Sequence, residues 1–156
     1  MIEQLRAEIE FLKEENRQLR LLLKYDALTK ARSQADLIEK QKQNVNDTTI
    51  VFAFDLKDFG LYNVMHGHNN GDIFLLQFAQ ILRSIFRDGD TIFRRGGDEF
   101  VAILNYKSIN IGNILNRLVE IDSIAYVGYV IGTGNINSLV DEAFGEIELI
   151  KQEKFK

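Results

Sequence analysis

The most informative segment of the sequence is Arg94-Arg95-Gly96-Gly97-Asp98-Glu99-Phe100. Two apolar runs of strand length, 91–93 and 100–104, lie on either side of its Gly-Gly pair. Because glycine tolerates positive φ, this pattern predicts a tight β-hairpin with Asp98 and Glu99 at its tip. Adjacent carboxylates raise each other's pKa, which favours a cation or a hydrogen-bond donor beside them. A divalent metal ion is such a cation.

The composition is that of one ordinary domain with an appendage. The chain has 156 residues, of which 46% are hydrophobic, enough for one core. It contains no cysteine, which excludes a disulfide framework and a thiolate metal site, and no apolar run approaches the length of a membrane span. The formal net charge of -4 argues against a nucleic-acid duplex as partner. The first residues lack the layout of a signal peptide, so we expect a soluble cytoplasmic protein.

The first 23 residues carry a narrow apolar stripe with the heptad period of a coiled coil. Isoleucine at position a with leucine at position d favours two parallel strands, and a polar a residue such as Asn16 fixes register and dimeric state. We therefore expect a parallel coiled-coil homodimer over residues 1–24 and a globular domain over residues 25–156. The alternative is a single amphipathic helix lying on the domain surface. The stripe consists of Ile2, Leu5, Ile9, Leu12, Leu19 and Leu23.

The rest of the chain predicts alternating strands and helices. An apolar run at 49–54 indicates a central strand buried on both faces. Asp55 follows this run, either as a cap for the next turn or as a ligand at the strand end. Ser33 with Asp36 marks the start of a helix that runs to about residue 42. Further helices are expected at about 72–86, 109–119 and 138–152, and a further strand at 124–131.

Several short motifs together resemble the GGDEF domain of diguanylate cyclases. They are Asp26 with Leu28-Thr29, Asp55-Leu56 with Phe59, Asn63 with Gly67-His68 and Gly71-Asp72, and Gly96-Gly97-Asp98-Glu99-Phe100. The resemblance covers about residues 26–150. It implies an α/β (α+β) sandwich with a mainly antiparallel central sheet flanked by helices, like that of nucleotide cyclases and polymerase palms. It also implies an enzyme that condenses two GTP molecules into cyclic di-GMP and pyrophosphate.

The resemblance assigns a catalytic centre to Asp55, Asp98 and Glu99. Asp55 and Asp98, with the carbonyl of Leu56, would hold two Mg²⁺ (or Mn²⁺) ions, and Glu99 would orient a metal or the attacking group. In this mechanism the ions activate a GTP 3′-hydroxyl and stabilise the charge on the α-phosphate of the second GTP.

The resemblance also places GTP contacts at Phe59, Gly60, Asn63, Asp72, Gly96 and Gly97. Asn63 and Asp72 would read guanine, since an Asp accepts from N1–H and the exocyclic amine, and an Asn amide bonds to the base edge. A role at the N-terminus of the following helix is the alternative for Asp72. His66 and His68 are predicted to be structural, because no cysteine or third histidine completes a metal site.

The chain departs from the family pattern at Lys57, Gly60, Glu148 and Gln152. Lys57 stands where the family has a second Asp. At Gly60, Glu148 and Gln152 the family has basic residues that contact phosphate. Lys151 and Lys154 are candidates to replace the missing contacts.

The pair Arg87 and Asp90 matches the Arg-x-x-Asp product-inhibition site of the family. An arginine fork grips phosphate and stacks on a base, so this pair is predicted to bind cyclic di-GMP. A solvated charged turn is the alternative.

These motifs predict a Mg²⁺-dependent, dimeric and product-inhibited diguanylate cyclase. The runner-up hypothesis is a domain that has lost turnover and serves as a cyclic di-GMP receptor through Arg87 and Asp90. A coiled-coil scaffold without a nucleotide site is a third hypothesis, which leaves the polar motif residues unexplained.

Overall fold

The computed structural model describes residues 1–87 and 91–155. Its helices and strands follow the predicted order, which confirms the sequence assignment of the fold class. They are α1 (Ile2–Leu23), α2 (Gln34–Gln41), β1 (Asn44–Leu56), α3 (Phe59–His66), α4 (His68–Phe86), β2 (Ile92–Gly96), β3 (Glu99–Asn105), α5 (Ile111–Leu118), β4 (Ala125–Asn135) and α6 (Ile136–Glu153). Short 3₁₀ turns precede and follow α5, at Tyr106–Ser108 and Val119–Ile121.

The four strands in the described residues form one antiparallel sheet in the order β2-β3-β1-β4. The strand predicted at 49–54 is central, as expected, but it is longer and runs over Asn44–Leu56. Its pairing with β4 continues to Leu56↔Ala125. Asp55 therefore lies inside the strand and does not follow it, because the hydrogen-bonded ladder continues past the apolar run that predicted it.

Side chains alternate along β1 between two helical layers. Ile50, Phe52 and Phe54 pack in one core cluster with α4 and α5. Val51 and Ala53 pack in a second cluster with Leu37 of α2 and with residues of α6. The sheet is thus buried on both faces, which explains why its central strand is a continuous apolar run.

Helix α1 stands away from the domain. None of its residues is buried, so the alternative of an amphipathic helix lying on the domain surface is wrong. The heptad stripe is exposed, and the coiled-coil dimer stays a prediction. Among the residues described, no helix combines the length and the apolar character needed to cross a bilayer.

Two helix starts bear on the sequence predictions. Ser33 caps α2, where its hydroxyl oxygen accepts from the backbone N–H of Asp36 at 3.2 Å, as predicted. Helix α4 begins at His68, four residues before Asp72, and has no acidic residue in its first turn. The helix-dipole alternative for Asp72 is therefore wrong, since that effect is confined to the first turn.

The contact between β4 and α6 requires a glycine at position 128. A Cβ atom there would lie 2.3 Å from the carbonyl oxygen of Ala143 and 3.0 Å from Cβ of Glu146. We expect Gly128→Ala to lower the free energy of unfolding by about 1–3 kcal/mol, measured by urea denaturation, because the helix must move off the sheet. The control is Gly145→Ala on the exposed face of α6, where a Cβ meets nothing within 4 Å. Equal stability of the Gly128 variant and the parent would contradict the close approach.

Candidate active site

The hairpin predicted from the Gly-Gly pair is present and carries both acids. Strands β2 and β3 pair as far as Gly96↔Glu99, past a register shift that follows Arg94. Gly97 has φ of +38°, in the left-handed region that favours glycine. Gly97 and Asp98 form the turn, and Glu99 begins β3.

Asp55 lies beside this hairpin because β1 pairs with β3. Asp55 is the register partner of Glu99, and the backbone N–H of Leu56 donates to the carbonyl of Asp98 at 3.2 Å. These residues and Phe59 line an open depression of about 580 Å³. The predicted catalytic and metal-binding residues are thus brought together at one end of the sheet. The lining is completed by Asp58, Tyr126, Glu148, Lys151 and Phe155.

The acids of the depression carry perturbed pKa values. Partial burial raises the pKa of Asp98, and the negative charge of Asp55 adds to this effect. Partial burial likewise raises the pKa of Glu99, with contributions from the charges of Asp55 and Asp98 and an opposing one from Arg95. The folded chain therefore holds negative charge in a position where a cation lowers its energy.

Lys151 of α6 reaches into the same depression. Its Nζ atom donates to Oδ2 of Asp55 at 2.7 Å and lies 3.5 Å from Oε1 of Glu148. The hydrogen bond to Asp55 raises the pKa of Lys151. The carboxylate of Asp55 thus accepts its hydrogen bond inside the depression. The N-cap position of α3 is occupied by Asp58. The cap alternative for Asp55 is therefore wrong.

Two more lysines lie next to Lys151, around the ring of Tyr126. The Nζ atoms of Lys57 and Lys154 are each 4.9 Å from the ring centroid, and that of Lys151 is 5.4 Å away. Lys57 also donates to the backbone carbonyl of Asp122. Partial burial, together with the neighbouring ammonium of Lys154, lowers the pKa of Lys57.

Arg94 ties the hairpin tip to the start of the domain. Its guanidinium donates to the carbonyl of Gly97 at 2.8 and 3.1 Å and to the carboxylate of Asp26 at 3.2 and 3.3 Å. The same carboxylate accepts from the backbone N–H and the hydroxyl of Thr29. Burial alone would raise the pKa of Asp26, but the hydrogen bonds from Thr29 and the charge of Arg94 outweigh it and hold this pKa below its usual value.

The two residues predicted to read guanine lie on the helical pair α3 and α4, outside the lining of the depression. Asn63 packs against Gly71, where a Cβ atom would lie 1.8 Å from Oδ1 of Asn63. This Oδ1 atom is buried and has no hydrogen-bond partner among residues 1–87 and 91–155. Asp72 is exposed on α4, and Gly60 is exposed on α3.

The predicted product site is described in part. Arg87 follows α4 with φ of +61° and lines a separate depression of about 240 Å³. Arg117 of α5 lines the same depression and donates to the carbonyl of Ile85 at 3.0 Å. Asp90, the other residue of this prediction, lies outside the described residues.

A comparison with known protein families identifies the family of this domain. The family model described as "Diguanylate cyclase, GGDEF domain" matches residues 23–129. The chain belongs to the GGDEF domain family. The resemblance inferred from the motifs is therefore confirmed, and it places the chain in a family that includes diguanylate cyclases.

Individual relatives agree with this assignment. The chain is 34% identical over 79 residues to the diguanylate cyclase DgcP of Escherichia coli, a match that spans 50% of this chain and 23% of that protein. The coiled coil and GGDEF domain of DgcB from Caulobacter crescentus, solved with c-di-GMP, gives a TM-score of 0.74 at 17% identity and covers 97% of this chain and 93% of that one. The diguanylate cyclase SiaD of Pseudomonas aeruginosa, solved with its activator SiaC, gives 0.71 at 22% identity and covers 97% and 68%. The two structural matches establish the fold.

GGDEF cyclases use a divalent metal, and the donor set in the depression fits such an ion. Asp55, Asp98 and Glu99 offer carboxylate oxygens, and Leu56 adds a backbone carbonyl, which are the hard ligands that Mg²⁺ prefers. In the described part of the chain, no three acidic or histidine side chains approach closely enough to form a metal cage on their own.

Sequence reasoning missed the roles of Arg94 and Tyr126. Arg94 lies two residues before the Gly-Gly pair and could have been suspected of holding the turn, but its partner Asp26 lies 68 residues away. No sequence pattern links Tyr126 to the three lysines around it, because the contact depends on where β4 and α6 pack.

We expect Arg94→Lys to loosen the hairpin tip, because one ammonium cannot reproduce a fork that bonds both Gly97 and Asp26. The free energy of unfolding should fall by roughly 1–2 kcal/mol, and the amide of Thr29 should exchange its hydrogen faster. The matched control is Arg6→Lys on the exposed helix α1, which should change neither quantity. Unchanged exchange at Thr29 in the Arg94 variant would show that the clamp does not hold this turn.

Proposed function

We propose that this chain is a diguanylate cyclase that condenses two GTP molecules into cyclic di-GMP and pyrophosphate. The proposal is carried by one observation: Asp55, Asp98 and Glu99 meet in an open depression, and burial and mutual repulsion raise the pKa values of Asp98 and Glu99. A fold that maintains such repulsion gains little from it structurally, whereas a metal-dependent phosphoryl-transfer site needs it. The membership of the GGDEF family supports the same reaction class.

We assign Mg²⁺ or Mn²⁺ to Asp55, Asp98 and the carbonyl of Leu56. When bound, such ions lower the pKa of the attacking 3′-hydroxyl and stabilise negative charge on the α-phosphate. The hairpin holds Asp98 in place through the hydrogen bond between its carbonyl and the N–H of Leu56. Glu99 begins β3 opposite Asp55, so its carboxylate is positioned to orient the reacting groups. Phe59 borders the depression, and Gly60, Gly96 and Gly97 leave space for backbone contacts to the nucleotide.

We assign guanine recognition to Asn63 and Asp72. The Oδ1 atom of Asn63 has no hydrogen-bond partner in the described residues, and turning the amide away from Gly71 would offer this acceptor to an N–H of guanine. Asp72 is an exposed acceptor on the neighbouring helix and is free to accept from N1–H and the exocyclic amine. A base that lacks these donors leaves the buried acceptor unpaired, which makes discrimination strong.

We assign residues 1–24 to a parallel coiled coil that pairs two GGDEF domains, 25–156, in a homodimer. Each domain binds one GTP, so two domains must face each other for the reaction. The exposed apolar stripe of α1 supports this pairing. A short tether raises the effective concentration of the second domain to about the millimolar range.

We assign product inhibition to Arg87 with Asp90. The support from the structure is that Arg87 lines a depression together with Arg117, which brings two guanidinium groups to one surface. Two arginines suit a cyclic dinucleotide, since each can pair with a phosphate or stack on a base.

A catalytically inactive cyclic di-GMP receptor is the second candidate. The observation that favours it is the ion pair between Lys151 and Asp55, since this internal cation occupies a carboxylate that the cyclase needs for metal. The absence of the basic residues expected at Glu148 and Gln152 points the same way.

The first test of the proposal compares catalysis by the parent protein with catalysis by the Asp98→Asn variant. The parent protein, incubated with GTP and Mg²⁺, should form cyclic di-GMP and pyrophosphate, detected by mass spectrometry and lost with EDTA. The variant should form neither, because it lacks a metal-binding carboxylate. Substantial turnover by the variant would contradict the assignment of Asp98 to the metal site. If the parent protein shows no turnover but binds cyclic di-GMP, the receptor hypothesis is supported.

The same variant should be more stable than the parent at pH 7. Because the folded state raises the pKa of Asp98, folding is penalised once pH exceeds the pKa of the unfolded chain. The neutral Asn avoids this penalty, so the free energy of unfolding should rise by up to about 1 kcal/mol, a modest value because Asp98 is only half-buried. The gain should vanish as the pH falls below the ordinary Asp pKa. Lost turnover in a more stable protein cannot be ascribed to unfolding.

The coiled-coil assignment is tested by Asn16→Leu. An apolar side chain at this a position removes the residue that specifies two strands, so light scattering should show a mixture of dimer and larger species in place of a single dimer. The control is Gln4→Leu, which adds the same side chain outside the stripe. A strictly dimeric mass for the Asn16 variant would contradict the heptad register.

A further inference from the structure

Three lysines from distant parts of the chain converge on one aromatic ring. Lys57 directly follows β1, and Lys151 and Lys154 lie near the end of α6 and just beyond it. Their Nζ atoms lie between 4.9 and 5.4 Å from the ring centroid of Tyr126 on β4. Three elements are needed to build this lysine cluster, so it is a product of the fold.

Three ammonium groups lie close together in the cluster, with Asp55 and Glu148 beside Lys151 and with Asp58 and Asp122 near Lys57. Lys151 is paired with Asp55 and Glu148. For Lys57 and Lys154, no carboxylate lies within salt-bridge distance among residues 1–87 and 91–155. Their partners are the face of Tyr126 and, for Lys57, a backbone carbonyl. Like charges gathered in this way repel each other, and a bound anion relieves that repulsion.

The position of the lysine cluster indicates which kind of anion it binds. Lys151 and Tyr126 line the same depression as Asp55 and Asp98. An anion held by the lysines therefore ends beside the carboxylates that are assigned to metal. A chain of phosphates suits this layout, because it places several charged oxygens along its length and contacts several ammonium groups at once. The basic residues that the family places at Gly60, Glu148 and Gln152 are missing, so another source of positive charge is needed.

We infer that Lys57, Lys151 and Lys154, arranged around Tyr126, form a binding site for the polyphosphate chain of the nucleotide. The inference deepens the proposed function, because the polyphosphate of the proposed substrate is that of GTP. Tyr126 is a positioning residue, since its ring keeps the ammonium groups together. Lys151 belongs to both the lysine cluster and the acidic depression and links the two.

The test titrates the full chain with inorganic tripolyphosphate by calorimetry, in EDTA so that no divalent metal takes part. The variants are Lys57→Met, Lys154→Met and the double variant, in which methionine keeps an apolar stem of similar length. Lys151 is left unchanged because it also pairs with Asp55. The matched control is Lys107→Met, an exposed lysine in the 3₁₀ turn after β3. Circular dichroism and urea denaturation check that each variant folds.

Each single substitution in the cluster should weaken tripolyphosphate binding by about tenfold, and the double variant by more. Binding by the parent should weaken as ionic strength rises. The parent should prefer GTP to GMP, and the double variant should lose most of this preference. The Lys107 variant should match the parent throughout. Equal tripolyphosphate affinity in the parent and the double variant, or an equal loss in the Lys107 variant, would overturn the inference.

Failure of this inference is distinguishable from failure of the cyclase proposal. If the chain binds tripolyphosphate through Lys57 and Lys154 but forms no cyclic di-GMP, the polyphosphate site stands and the cyclase proposal falls. If the double variant forms cyclic di-GMP with an unchanged KM for GTP, the polyphosphate site falls and the cyclase stands.

Discussion

The antiparallel register between β1 and β3 positions the acids of the candidate active site. It sets Asp55 opposite Glu99 and turns Asp55 toward the face of the sheet covered by α6. A slip by one residue would send Phe52 and Phe54 to that face and move Asp55 away from it. The two faces are packed against different helices, and large aromatic side chains do not fit where small ones pack, so the slip is costly. The apolar core thereby fixes the position of the polar site beside it, and Leu56 belongs to both.

Charge in the depression works against folding, and the structure compensates for it locally. Asp98 and Glu99 are held with raised pKa values, so their ionised forms destabilise the folded chain at neutral pH. Lys151 offsets part of this by pairing with Asp55. Lys151 belongs both to the lysine cluster around Tyr126 and to the acidic depression, so the lysines and the acids lie side by side. This layout suits a ligand that carries both cations and phosphates, as a metal-bound nucleotide does.

The hairpin is also connected to the exposed helix α1. The chain leaves α1 at Leu23 and reaches Asp26, whose carboxylate is gripped by Arg94, and Arg94 in turn holds the carbonyl of Gly97 at the hairpin tip. Two charge-assisted contacts therefore separate the helix that is proposed to dimerise from the turn that carries Asp98. These two contacts form a short, continuous connection between the end of α1 and the hairpin.

The order of helices and strands and the hairpin can be predicted from the sequence, because apolar periodicity and glycine pairs report on neighbours within one element. The family can be recognised from the sequence because its motifs are short and local. The sequence also identified the acids at 55, 98 and 99, since their motifs are local. The three-dimensional packing was needed to show that Asp55 lies inside a strand, that Arg94 contacts Asp26, and that Lys151 pairs with Asp55, 96 residues away. The sequence marked Lys151 and Lys154 as candidate phosphate contacts, but it did not show that they converge with Lys57 on Tyr126. Contacts of this kind depend on how the sheet and helices pack. The apolar periodicity within one helix or strand does not specify contacts with another.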